Sequence, residues 1–392
     1  MRTRTLLAVA VGIAAAVACG DMEETELPSE LEAPVGPHDV SVLFPIPEVL
    51  GQRTSMIGAD ATGLRGQLLP QDVYVALPLV DVVLSNEKSY PLLRLISARF
   101  DPCFPGLGAP CQSQIRLVMQ PVIIDPAGEH LIANDAAVHL FYALERDELE
   151  AAMRRAVDLR EASGFAVSAE PLGVHPALAA EGVEGAFARG FRDLLLTHCG
   201  EENLVRVTFM ALEGVSDDWR FGGFDRVDGE LVPLAIPGLT STDQSFLNVD
   251  RSGVSFDGAT VSPASTSSDD FSLLIDPPAA LAAPVAERQA AFDALLRVES
   301  PTRHSPETID CVTCHLAAST RAFAVRELAV TAAGSPDRFV DASGSEPAGK
   351  TAFGTNVLRA FGAFGRNPAI AQRTVNETAA VVAYVNREMV GK

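Results

Sequence analysis

Residues 310–315 read Asp310-Cys311-Val312-Thr313-Cys314-His315, and the chemistry of this hexapeptide governs what its flanks must build. Two thiols with two residues between them fall on one side of a single helical turn, and the imidazole that follows is held beside them. The rest of the chain is sparing with such groups, with six Cys and seven His among 392 residues. Upstream, Pro284 can occupy a first helical turn, and Phe292, Leu295 and Leu296 share one face before Pro301 ends the helix. Downstream, Thr374 to Val390 has helical periodicity. Thr374 and Glu377 fit a capping box, and Val381, Val382, Val385 and Met389 line one side.

The spacing in Cys311-Val312-Thr313-Cys314-His315 fits the haem-attachment signature. The two thiols reach the two vinyl groups of a porphyrin edge, and His315 sits beneath the iron as proximal ligand. Taken with the two helices, the C-terminal part of the chain resembles a class I c-type cytochrome domain. Pro284 to Val298 corresponds to the first helix, and Glu377 to Val385 looks like the closing one. The resemblance implies a small all-α unit over residues 277–392, one covalent haem c, and electron exchange with redox partner proteins rather than catalysis. The family usually places an iron-ligating Met before the closing helix, yet no Met occurs between His315 and Met389, and Met389 reads as core packing. That leaves His304 as the candidate distal ligand, an open iron, or an imidazole from earlier in the chain (His130, His139, His175 or His198). Phe353, Phe361 and Phe364 are candidates for the apolar wall of the haem pocket.

Other chemistries use the same cysteines. His198, Cys199, Cys311 and Cys314 supply the types and number of ligands for a structural zinc, which would make the protein a binding or structural module. A Cys311–Cys314 redox disulfide is a further alternative, although no βαβ pattern surrounds it. A haem enzyme or sensor would need an open iron and a distal acid or base, and no motif supplies them.

The N-terminus reads as an export signal over residues 1–18: Arg2 and Arg4, an apolar run from Leu6 to Val17, then Ala16-Val17-Ala18-Cys19. This ending resembles a bacterial lipobox, with Ala16 where Leu is usual, and the resemblance implies that Cys19 carries the lipid. The apolar run is shorter than the roughly 20 residues a membrane span needs. Residues 19–40 are rich in Glu and Pro and read as an acidic tether that holds the body off the membrane. With Gly20 following Cys19 and Asp21 in the next place, the familiar sorting rule points to the outer membrane of the cell envelope, held by the lipid anchor only. A formal charge of −21 repels phosphate backbones and excludes nucleic acid as a partner.

Residues 41–276 alternate short strands with helices and are expected to form an α+β or β-rich domain ahead of the all-α unit. Strands are expected at Val73 to Leu77, Ile115 to Met119 and Leu204 to Phe209, and helices at Asp147 to Ala162 and Val183 to Leu196. Cys103 and Cys111 bracket a Pro- and Gly-rich turn and read as a disulfide staple.

Overall fold

The computed structural model describes residues 34–78, 80, 84–102, 112–168, 170–213, 218–247, 269–339 and 360–390. Cys19, Cys103, Cys111 and Phe353 lie outside the described residues. A short helix α1 (Pro37–Val40) leads into strand β1 (Ser41–Leu43). A small hairpin, β2 (Thr62–Gly63) and β3 (Gly66–Gln67), precedes helices α2 (Gln71–Val75) and α3 (Asn86–Ser89). Strands β4 (Leu93–Asp101), β5 (Ser113–Ile124), β6 (Leu131–Ala133) and β7 (Ala137–Leu144) follow, then helices α4 (Arg146–Ala162), α5 (Pro176–Glu181) and α6 (Ala186–His198). After β8 (Leu204–Glu213), β9 (Asp218–Val227), β10 (Glu230–Pro233) and β11 (Asp243–Leu247) come α7 (Pro277–Ala282), α8 (Val285–Val298) and α9 (Cys311–Glu327). The last elements are β12 (Phe361–Phe364), β13 (Asn367–Ile370) and α10 (Gln372–Glu388).

Nine strands form one antiparallel sheet in the order β1-β4-β5-β7-β8-β9-β10, with β6 paired to β5 and β11 to β9. Alternation along the central strands gives the sheet two apolar faces. Leu117, Val138, Leu140, Tyr142 and Val207 point into a core shared with Leu149 and Met153 of α4 and with Phe187 and Phe191 of α6. On the opposite face Ala137, Met210 and Phe221 pack beneath α8 and α9, through Phe292, Leu295, Val312 and Leu316. Further along, Ile96 and Val122 meet the β12–β13 hairpin through Phe361 and Ile370. The second face is thus covered at both ends, and a cleft remains between the two covers.

This architecture corrects the expected fold class. The helices after residue 277 do not form a small all-α unit of their own, because both α9 and α10 complete the packing of the large sheet. Val381, Val385 and Met389 of α10 lie in the same core as Val40 and Leu140, and Ser41 Oγ is 2.7 Å from Thr378 Oγ1. The two ends of the described chain also meet: Val35 N donates to Asn386 Oδ1 and Asn386 Nδ2 to Val35 O, both at 2.9 Å.

Two local expectations change as well. Residues 73–77 are not a strand. Helix α2 covers Gln71–Val75 between Pro70 and Pro78 and buries Val73 and Tyr74, and so short an apolar run has no period that separates the two structures. Thr374 is not a helix cap either. It lies inside α10, whose N-cap is Ala371, and its hydroxyl donates to Ala360 O at 2.7 Å.

The core against α1 and α5 holds two histidines that burial keeps neutral: His38 is pushed down to about 4 and His175 to about 3, the latter also by His38 and Arg160. The unfolded chain binds their protons near 6.5, so it takes up more protons than the folded chain between the two values. Their contribution is therefore present above pH 6.5 and is lost as pH falls toward 4. We expect the melting temperature to drop over that window. His175→Asn, which retains an acceptor for Ala177 N, should lose less of it. Equal acid sensitivity of variant and wild type would refute this account.

Candidate functional site

Asp310 starts helix α9. Its Oδ1 accepts from Thr313 N at 2.9 Å and from Gln244 Nε2 at 2.8 Å, while Gln244 Oε1 accepts from Val312 N at 3.0 Å. Strand β11 thereby fixes the helix start against the sheet, which sets the direction of the next turn. Cys311 and Cys314 are half-buried free thiols on that turn. Burial, with Cys314 and Asp310 nearby, pushes Cys311 up to about 12, and burial also raises Cys314, so both remain protonated at neutral pH.

The thiols face two rows of side chains that the strand register lines up across the sheet. One row runs Arg99, Arg116, Phe141, Arg206, Asp225, and the next runs Ser97, Val118, His139, Thr208, Gly223. Between these rows and α9 lies a cavity of about 190 Å³ that opens to solvent. Cys311, Cys314 and His315 of α9 line it together with His139, Phe141 and Phe221 of the sheet and with Ile236 and Phe361. The His315 ring lies 5.0 Å from that of Phe221 and 6.3 Å from that of His139, the two imidazoles being within 22° of parallel. His139 Nδ1 is 3.1 Å from Thr208 Oγ1. Burial, with His315 and Arg116 nearby, lowers His139 to about 3 and keeps it neutral.

Arginines gather at the mouth. Arg99 pairs with Glu377 and Asp101, Arg116 with Asp101, Arg373 with Glu377, and Arg206 with Asp225 and Glu307. Arg116 also stacks over Phe141 at 5.2 Å. Arg99 Nε and Arg116 Nε are buried without a hydrogen-bond partner among the described residues, while the rest of each guanidinium group is paired with Asp101 or Glu377.

The structure brings Cys311, Cys314, His315, Phe361 and the alternative ligand His139 to one site and places His304, Phe364 and Cys199 elsewhere. His304 is buried, with Nε2 2.8 Å from Asp269 Oδ2 and Nδ1 3.3 Å from Thr308 Oγ1, so both ring nitrogens are engaged. Phe364 is 47 % exposed and outside the cavity lining. Cys199 is buried in the α4–α6 core, on the other side of the sheet from Cys311 and Cys314. Among the described residues no group of three or more His, Cys, Asp or Glu is placed to hold one metal ion. Sequence reasoning missed Gln244 and the four arginines. The signal available was the alternation of Arg116 and Arg206 with apolar neighbours, but their shared row depends on pairing that one strand does not reveal. Comparison with protein-family models, with curated proteins and with solved structures finds no match to this chain.

Proposed function

We propose that this protein carries one covalent haem c in the cavity between α9 and the sheet and exchanges electrons with redox partner proteins at the cell envelope. One observation carries the reading: the Cys-x-x-Cys-His turn lines a cavity together with Phe141, Phe221 and Phe361 and with Arg99, Arg116, Arg206 and Arg373. A porphyrin needs such surroundings: thiols at one edge, an imidazole beneath the iron, apolar walls over its faces, and cations for its carboxylates. Cys311 and Cys314 would hold it by adding S–H across its vinyl groups, sulfur and hydrogen both ending on the former double bond. His315 would be the proximal ligand, and Arg99 and Arg116 would bind the carboxylates. When bound, the haem supplies a one-electron iron couple. The aromatic walls exclude water from it, and the Asp310–Gln244 clamp fixes the turn that bears the thiols.

The zinc alternative gains no support, because Cys199 lies in one core and Cys311 and Cys314 pack against another. The lipobox resemblance at Cys19 supports a lipid anchor and an outer-membrane address as part of the same proposal. No helix among the described residues is long and apolar enough to cross a membrane.

The test is a denaturing gel of protein made in a host with periplasmic haem-attachment machinery. Thioether bonds survive unfolding, so the band should keep peroxidase-active stain, and Cys311→Ala/Cys314→Ala should abolish it. An unstained wild-type band, or equal stain in both proteins, would sink the assignment.

A further inference from the structure

We propose that His139 is the second axial ligand of the iron, so that strand β7 and helix α9 clasp the haem between two imidazoles; this rests on the haem reading above. Of the seven histidines, only His139 and His315 line the cavity beside the two thiols. His38 and His175 face each other at 6.2 Å in the core under α1 and α5, and His198 ends α6. His130 is half-exposed beside Glu129. His304 borders the neighbouring cleft, but its two nitrogens serve Asp269 and Thr308. No Met lines the cavity.

The geometry suits the role. With metal–imidazole bonds of about 2 Å, two imidazoles on opposite sides of one iron have ring centres about 6 Å apart. The His139 and His315 rings are 6.3 Å apart, one on the sheet and one on the helix. A ligating imidazole has its other nitrogen fixed by a hydrogen bond, which sets the tautomer and aims the lone pair. Thr208 Oγ1 stands 3.1 Å from His139 Nδ1, on the residue directly across from it in the ladder. When Nδ1 donates to that hydroxyl, Nε2 keeps its lone pair, and it makes no hydrogen bond among the described residues. The ligand also sits on a rigid support, since His139 is paired on both sides, to Val118 and to Thr208.

Two imidazoles fill both axial positions. The iron is then low-spin and closed to small ligands, which favours electron transfer over ligand binding or peroxide chemistry.

The experiment compares the wild type, His139→Ala and His139→Met, all produced with haem-attachment machinery, by absorption and electron paramagnetic resonance spectra of the ferric protein. The wild type should be six-coordinate and low-spin with a bis-imidazole signature. His139→Ala should keep its covalent stain but lose the low-spin signal, and added imidazole should restore it. His139→Met should shift the reduction potential upward. A high-spin wild type, or a stained His139→Ala that stays low-spin with an unchanged potential, would overturn the assignment while leaving the covalent haem intact. Wild type without covalent stain would bring down the haem reading itself. Should His139→Ala misfold, the wild-type spin state still decides.

Discussion

Replacing Arg373 by Ala is expected to lower the unfolding free energy by about 3–5 kcal/mol, the cost of removing one partner from a buried ion pair. Its guanidinium is buried, donates to Val298 O at 2.6 Å and His304 O at 2.9 Å, and pairs with Glu377 at 2.9 Å. One carbonyl ends α8 and the other belongs to the loop between α8 and α9, so this one side chain ties α10 to the segment that leads into the thiol-bearing turn. Without it the carbonyls and the carboxylate lose their donors, and each loss costs more than a hydrogen bond normally contributes. Arg373→Lys should recover part of the charge term but not the fork that reaches two carbonyls at once. Denaturant unfolding of both variants is the measurement, and a loss below about 1 kcal/mol for Arg373→Ala would refute this account.

The second large effect comes from Glu377, which Arg373 shares with Arg99. Burial opposes its ionisation, but Arg99, Arg373 and Arg116 together more than offset this and hold the carboxyl down at about 2, from 4.5 when free. A depressed carboxylate stabilises the folded chain fully above the unfolded value and loses that contribution as pH falls through the folded one. Glu377 should therefore contribute about 3 kcal/mol at neutral pH, lost progressively between about pH 5 and pH 2. Glu377→Gln should be less stable at pH 7 by a similar amount and nearly equal to wild type near pH 2. Parallel stability curves for the two proteins across this range would be inconsistent with that assignment. The effects of Arg373→Ala and Glu377→Gln should not add, because each removes the other's partner.

What could be read in advance was local. The Cys311, Cys314 and His315 constellation is a matter of spacing within one turn, and helices α4, α8 and α10 and strands β5 and β8 carry clean periodicities. The partner of each apolar face was not legible. Val381 and Val385 read as a buried stripe whether α10 closes on α8, as the expected haem domain required, or on the sheet core, as it does. The rest of the site depends on register. Arg99, Arg116, Phe141 and Arg206 come from four strands and share a row only because those strands pair as they do. A one-residue slip in any of them would send its member to the opposite face.

The reciprocal hydrogen bonds between Val35 and Asn386 join residues 351 apart in sequence. In mechanical terms they act as the clasp of a ring. Tension applied between the two ends of the body loads the Val35–Asn386 pair first, ahead of the long-strand ladder. Once that pair opens, α10 is the next element to feel the pull, and with it Arg373, Glu377 and one margin of the cavity. The resistance of the site to stretching is therefore set at the seam between Val35 and Asn386, far in sequence from the cysteines that line it.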